Sequence, residues 1–182
     1  MCGILFVSGS DDSTKSTNEL CKQLQLIKHR GPDHVSYEKV GKHWIGHVRL
    51  ALNGINENVS QPFHYKSLSG KDVYLAVNGE IYNHKLIRSD NKFEYKYKTE
   101  SDCEVIIPLY LKYGESFTYK LNGMFSFSLY DEKKQRLWIA RDRLGIKPLY
   151  YSIEDGDFSF SSYTELLKKI GHDKISRCLP TH

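Results

Sequence analysis

Met1-Cys2-Gly3 places a thiol at the second position of the sequence. Methionine aminopeptidases remove a Met that precedes a small residue, so the mature chain is expected to begin at Cys2, with a thiol and a free α-amine on one residue. Reference pKa values of about 7.7–8.0 for the amine and about 8.5 for the thiol let the amine accept the thiol's proton near neutral pH. One residue then supplies nucleophile and general base. Taken alone, a small residue after Met is also ordinary. Four further residues have bland readings by themselves. Asn78-Gly79 reads as a hairpin turn, Arg49 as a solvated charge at a strand end, and Asp102 as an acid complementing a helix N-terminus.

Other chemistry finds less support. The eight His show no paired metal spacing, and His43 and His47 fall in a strand, where they do not converge as on a helix. Cys2, Cys21, Cys103 and Cys178 are scattered without CxxC, so neither a zinc site nor a disulfide framework is expected. Lys and aromatic residues alternate at 92–98, the pattern of an amphipathic edge strand rather than of a nucleic-acid surface.

The elements that must position these residues follow from pattern. Gly3–Ser8 is a short apolar run and reads as a buried strand. A helix follows, with a Ser16/Glu19 capping box, apolar Leu20, Leu24 and Ile27, and a Gly31-Pro32 stop. His43–Leu50 and Asp72–Val77 read as strands, and Phe93–Lys98 as a half-exposed one. Ser101 and Glu104 make a second capping box, opening a helix that runs to Gly114 with a kink or break at Pro108. Met124–Tyr130 and Arg136–Arg141 are strands joined by the turn Asp131–Gln135. Leu149–Ser152 and Phe158–Ser161 precede a helix at Tyr163–Ile170. Strands in hairpin succession with helices between them predict an α+β fold of antiparallel sheets covered by helices.

Composition sets the bounds. The chain has 182 residues, 40% of them apolar and 26% charged, and its 26 Lys+Arg against 22 Asp+Glu give a net charge of +4. That is one folded domain over 1–182, with a charge too mild to call for nucleic acid. The uncharged stretch Leu121–Tyr130 is half of what a bilayer requires. Asp11 and Asp12 interrupt any secretory leader. A cytoplasmic protein with no membrane partner is the expectation.

Several segments occur together in order: MCGI at the start, Arg30-Gly31-Pro32-Asp33, Gly46-His47-Val48-Arg49-Leu50, Gln61-Pro62, Asn78-Gly79-Glu80-Ile81-Tyr82-Asn83-His84, Ser101-Asp102-Cys103-Glu104-Val105-Ile106, Leu121-Asn122-Gly123-Met124-Phe125, and Arg141 through Tyr150. The set closely resembles the N-terminal glutaminase domain of glutamine-hydrolysing asparagine synthetases, class II (N-terminal-nucleophile, Ntn) glutamine amidotransferases. The likeness is strongest over residues 1–165. His47-Val48-Arg49-Leu50 and the 78–84 block favour this branch over those that carry His-Thr-Arg around the arginine.

The resemblance implies an αββα sandwich of two antiparallel sheets between helical layers. It implies hydrolysis of L-glutamine to glutamate and ammonia through a Cys2 thioester, with Asn78 and Gly79 as the oxyanion hole. By the same likeness Arg49 clamps the substrate carboxylate, Asp102 takes its ammonium, and Leu50, Ala51, Leu52, Asn53 and Glu80 line the pocket. No metal or organic cofactor is expected in this chain. No Gly-rich ATP loop is present, so ATP and Mg²⁺ are expected only for a separate synthetase domain or partner that receives the ammonia for asparagine biosynthesis. The competing expectation is a catalytically silent regulatory or interaction domain that kept the fold. Cys2, Arg49, Asn78, Gly79 and Asp102 all being present favours the enzyme.

Overall fold

The structure is a computed structural model that describes residues 1–9, 17–51, 60–66, 72–90, 93–154 and 156–179. The strands are β1 (Gly3–Val7), β2 (His34–Val40), β3 (His43–Arg49), β4 (Phe63–Lys66), β5 (Asp72–Ile81), β6 (Gly123–Asp131), β7 (Arg136–Arg141), β8 (Tyr150–Glu154), β9 (Asp157–Ser161) and β10 (Ser176–Arg177). The helices are α1 (Thr17–Leu26), α2 (His84–Ser89), α3 (Ile106–Tyr113) and α4 (Thr164–Lys169). Six strands form one sheet in the order β10-β8-β9-β1-β3-β2, and four form a second in the order β4-β5-β6-β7. Every ladder in both is antiparallel.

The two sheets stack, and each is covered on its outer side by helix. In β1 the alternation of side chains sends Ile4 and Phe6 inward, to Ile45 of β3 and to Ala76 and Tyr130 of the other sheet. Leu5 and Val7 point outward, against Leu24, Ile27, Leu166 and Leu167. A strand buried on both faces has no polar side, which is why Gly3–Val7 is a continuous apolar run. On the other sheet Val73, Leu75, Val77, Phe125, Phe127 and Leu129 pack against Ile106, Ile107, Leu109 and Tyr110 of α3. Each such buried side chain contributes about 1.5–3 kcal/mol relative to leaving it in water. The expected αββα layering is what forms.

Three local expectations fail, each for a physical reason. Asn78-Gly79 is not a turn, because β5 runs on through both residues to Ile81, with Asn78 opposite Ser126 and Gly79 opposite Phe125. The glycine meets a need for close approach instead: a Cβ there would lie 2.5 Å from the Met124 carbonyl oxygen and 2.7 Å from Phe125 Cα. Gly79→Ala is therefore expected to destabilise the fold by about 1–3 kcal/mol, seen as a Tm drop of several degrees in a thermal melt. An unchanged Tm would mean that the two strands do not pack this tightly.

Phe93–Lys98 alternates half-buried and exposed as expected but joins neither sheet. The buried carboxylate of Glu104 takes the place of a neighbouring strand. It accepts from Tyr95 Oη at 3.0 Å, Lys98 N at 2.7 Å, and Thr99 N and Oγ1 at 2.8 and 2.6 Å. That use of Glu104 also undoes the second capping box. Ser101 Oγ accepts from Cys103 N, and a 3₁₀ turn, Asp102–Val105, precedes α3. Pro108 then falls in the first turn of α3, where its missing N–H leaves no bond unmade, and the helix ends before Gly114. The Ser16/Glu19 capping box involves side chains outside the described residues. Sequence reading also passed over β2, β4, α2 and β10, all short or polar.

Among the described residues no helix is long and apolar enough to cross a membrane.

Candidate active site

Cys2 sits at the head of β1, on the central strands of the six-stranded sheet. Its backbone carbonyl accepts Arg30 Nε at 3.2 Å, and Leu50 N donates to its Sγ at 3.4 Å. The next residues are pinned too, since Ile4 N donates to Ser162 Oγ and Ser162 N to Ile4 O, both at 3.1 Å. Arg30-Gly31-Pro32-Asp33 acts as a brace across the site. Gly31 lies against the β3 backbone so closely that a Cβ would be 2.5 Å from Arg49 N. Asp33 N donates to Arg49 O at 3.1 Å, and Asp33 Oδ2 accepts from Ala51 N at 2.7 Å. The nucleophile and the chain leaving Arg49 are thus held by one segment.

The other wall is the bare edge of β5. Strand β4 covers that edge only from Asp72 to Leu75. Phe125 O accepts Asp142 N on the β7 side at 2.8 Å, so the Gly79–Phe125 pair is a non-hydrogen-bonded one and the N–H and C=O of Gly79 face away from β6. Beyond Leu75 side chains take over as partners of the edge. Val77 N donates to Gln61 Oε1 at 2.6 Å, Ile81 N to Asp102 Oδ2 at 2.6 Å, and Cys103 Sγ lies 3.5 Å from Gly79 O. Between the two capped donors, Gly79 N–H has no partner among the described residues. Beside it Asn78, 1% exposed, carries an amide nitrogen Nδ2 that is also unpartnered. A buried donor without an acceptor, as Asn78 Nδ2 is, is rare and calls for an explanation.

A cleft of about 610 Å³ runs between these walls, lined by Cys2, Arg49, Leu50, Gly79, Glu80 and Asp102 among others. Its size suits a small molecule. Arg49 comes from the six-stranded sheet, while Asp102 and Glu80 come from the four-stranded side, and Lys85 and Glu100 line the same cavity, so charges of both signs meet there. Asp102 turns its carboxylate toward the β5 edge, and one oxygen remains beyond the bond to Ile81. Asn78 is buried between Val77 and Gly79, which line the cleft, and is not itself in the lining. Ala51 is half-buried next to Leu50. Leu52 and Asn53 lie outside the described residues. His47 also lines the cleft. Burial pushes its pKa down to about 3, a hydrogen bond with the Val77 backbone opposing the shift and His34 and Arg49 adding to it. Burial likewise raises the Cys103 thiol well above its ordinary range, with Asp102 contributing next, so it is a neutral donor. Among the described residues no cluster of His, Cys, Asp or Glu could hold a metal ion.

Residues 1–177 match a protein family described as the glutamine amidotransferase domain. The chain belongs to that family. Within it the chain is 38% identical to asparagine synthetase B [glutamine-hydrolyzing] of Escherichia coli strain K12, the match covering 85% of this chain and 27% of that protein. It is 39% identical to amidase chyE of Penicillium rubens, covering 86% of this chain and 24% of that protein. The glutamine phosphoribosylpyrophosphate amidotransferase of B. subtilis has the same fold, with a TM-score of 0.82 at 23% identity over 98% of this chain and 46% of that one. The chain spans about a quarter of the length of these two curated relatives.

For an amidotransferase domain, Gln61 and Cys103 in the cleft lining and Arg30, which holds Cys2 O, went unassigned in the sequence reading. Each stands in a motif that carried the resemblance, but its role lies in a contact distant in sequence: Arg30 with Cys2 O, Gln61 with Val77 N and Cys103 with Gly79 O. The 141–150 motif is scaffold. Arg141 donates to the carbonyls of Gly145, Lys147 and Cys178, and Asp142 accepts from Ile146 N and Lys147 N at 2.9 and 3.0 Å.

Proposed function

We propose that this chain hydrolyses L-glutamine to glutamate and ammonia through a thioester on Cys2. The observation that carries the reading is the bare N–H of Gly79 in the cleft that Cys2 also lines, between the capped donors of Val77 and Ile81, with the unpartnered Asn78 Nδ2 beside it on β5. With Met1 removed, the α-amine of Cys2 takes the thiol proton, and the thiolate attacks the side-chain amide carbon of glutamine. The carbonyl oxygen becomes an oxyanion that the two donors stabilise. Collapse returns the proton to the departing nitrogen, which leaves as ammonia, and water then cleaves the thioester to glutamate. Arg49 pairs with the substrate carboxylate through its planar fork, and Asp102 with its ammonium. Leu50, Ala51, Leu52, Asn53 and Glu80 frame the pocket.

No metal or organic cofactor enters this half-reaction. The ammonia goes to a synthetase domain or partner, where ATP and Mg²⁺ do their work; the family membership and the quarter-length match to asparagine synthetases support that destination. Cytoplasm, where the four free thiols stay reduced, is the compartment this reading requires.

The test is glutamate release from L-glutamine by the purified chain, after mass spectrometry verifies that Met1 is gone. Arg49→Ala and Asp102→Asn are expected to raise KM about 10- to 100-fold with a smaller effect on kcat. Asparagine at 102 keeps an acceptor for Ile81 N–H and removes only the charge. A variant with the wild-type KM would show that its side chain does not hold the substrate.

A further inference from the structure

The nucleophile and the oxyanion donors sit on different sheets, Cys2 on the six-stranded one and Asn78-Gly79 on β5 of the four-stranded one. Catalysis through both requires that their separation be fixed. Gln61 lines the cleft between them, 9% exposed. Its backbone carbonyl accepts the hydroxyl of Ser36, on β2 of the six-stranded sheet. Its side-chain oxygen accepts Val77 N at 2.6 Å, on β5 two residues before Gly79. One residue is therefore bonded to both sheets within the wall of the cleft.

Its bond to Val77 has a second consequence. The edge N–H groups of Val77, Gly79 and Ile81 all point the same way, by the period of the strand. Gln61 occupies the first and Asp102 the third, which leaves the middle one for the substrate. Without Gln61 the Val77 donor would be a second anion-binding site one step along the edge, and β5 would lose this hydrogen-bonded tie to the sheet that carries Cys2, keeping the apolar packing of Ile4 and Phe6 on Ala76. We propose that Gln61 is a positioning residue that sets the oxyanion donors of β5 in register with Cys2. This rests on the glutaminase reading and deepens it.

Gln61→Met keeps the length of the side chain and removes the acceptor. It is expected to lower kcat about 10- to 100-fold, the scale of a small misplacement at a reacting centre, with KM within about twofold of wild type. Alkylation of Cys2 by iodoacetamide, a displacement that forms no oxyanion, should keep its wild-type rate. Combined with Asn78→Ala the losses should be less than additive, because both act on the same donors. Ser36→Ala, which leaves the Gln61 side chain in place, should lower kcat in the same sense and stands as the decisive variant if Gln61→Met does not fold.

A Gln61→Met enzyme with wild-type kcat, a loss confined to KM, slowed alkylation, or full additivity with Asn78→Ala would each overturn the proposal. So would wild-type kcat in Ser36→Ala. A wild-type chain that releases no glutamate overturns the glutaminase reading itself, and the proposal with it. An active wild type with unaffected variants overturns the positioning role alone.

Discussion

Cys2→Ala is expected to reduce glutamine hydrolysis by roughly 10⁴-fold or more while leaving the fold intact. The size follows from the kind of step removed. Losing the nucleophile of a covalent mechanism leaves only binding and oxyanion stabilisation, as in other enzymes stripped of one. The stability side follows from the contacts. Cys2 is half-buried, and its thiol makes two long interactions, Leu50 N at 3.4 Å and Leu50 O at 3.7 Å. The stronger anchors of the N-terminus act through backbone, at Cys2 O and at Ile4, and survive truncation of the side chain. A thermal melt should therefore stay within about 4 °C of wild type, the equivalent of about 1 kcal/mol for a chain of this size. Hydrolysis that persists in Cys2→Ala would end the thioester mechanism. Lost activity with a collapsed melt would shift the explanation from chemistry to folding.

How far the sequence alone reaches differs from one part of the molecule to another. The central strands were plain for two reasons: GILFV in β1 is buried on both faces and wholly apolar, and Met124–Tyr130 in β6 alternates Phe125, Phe127 and Leu129 with Ser126 and Ser128 at the period of a strand. Strand β2, HVSYEKV, was hidden because it is an outer strand with one buried residue, Val40, so its composition looks like loop. Asn78-Gly79 misled for a different reason. The pair has the local chemistry of a turn, but the glycine answers to strand-to-strand contact with Met124 and Phe125, which no window around residue 79 contains. The site divides along the same line. Cys2, Arg49 and Asp102 were assigned through the family resemblance, and thiol, guanidinium and carboxylate are groups able to do what that resemblance implies. Gln61 was not, because an amide bonding a backbone N–H 16 residues away has meaning only once β4 is seen to stop short of it. That Gly79 N–H is the donor left bare is likewise a property of the ladder.

Asn78→Ala is expected to lower kcat about 10²–10³-fold, some 2.7–4 kcal/mol of transition-state stabilisation, with KM nearly unchanged. The split between the two constants is the diagnostic part. An oxyanion donor matters only once charge has moved onto the carbonyl oxygen, so its removal leaves ground-state affinity where Arg49 and Asp102 set it. The effect on stability should be small, because two contributions oppose. Truncating a side chain that is 1% exposed leaves a cavity, which costs stability. It also removes a buried Nδ2 that has no acceptor, which returns some. A Tm within a few degrees of wild type, beside a loss of two to three decades in kcat, is what a group kept unpaired for the transition state should give. If instead Asn78→Ala melts far below wild type while the kcat of the folded fraction is preserved, Asn78 is a packing residue of β5, and the oxyanion hole rests on Gly79 N–H alone.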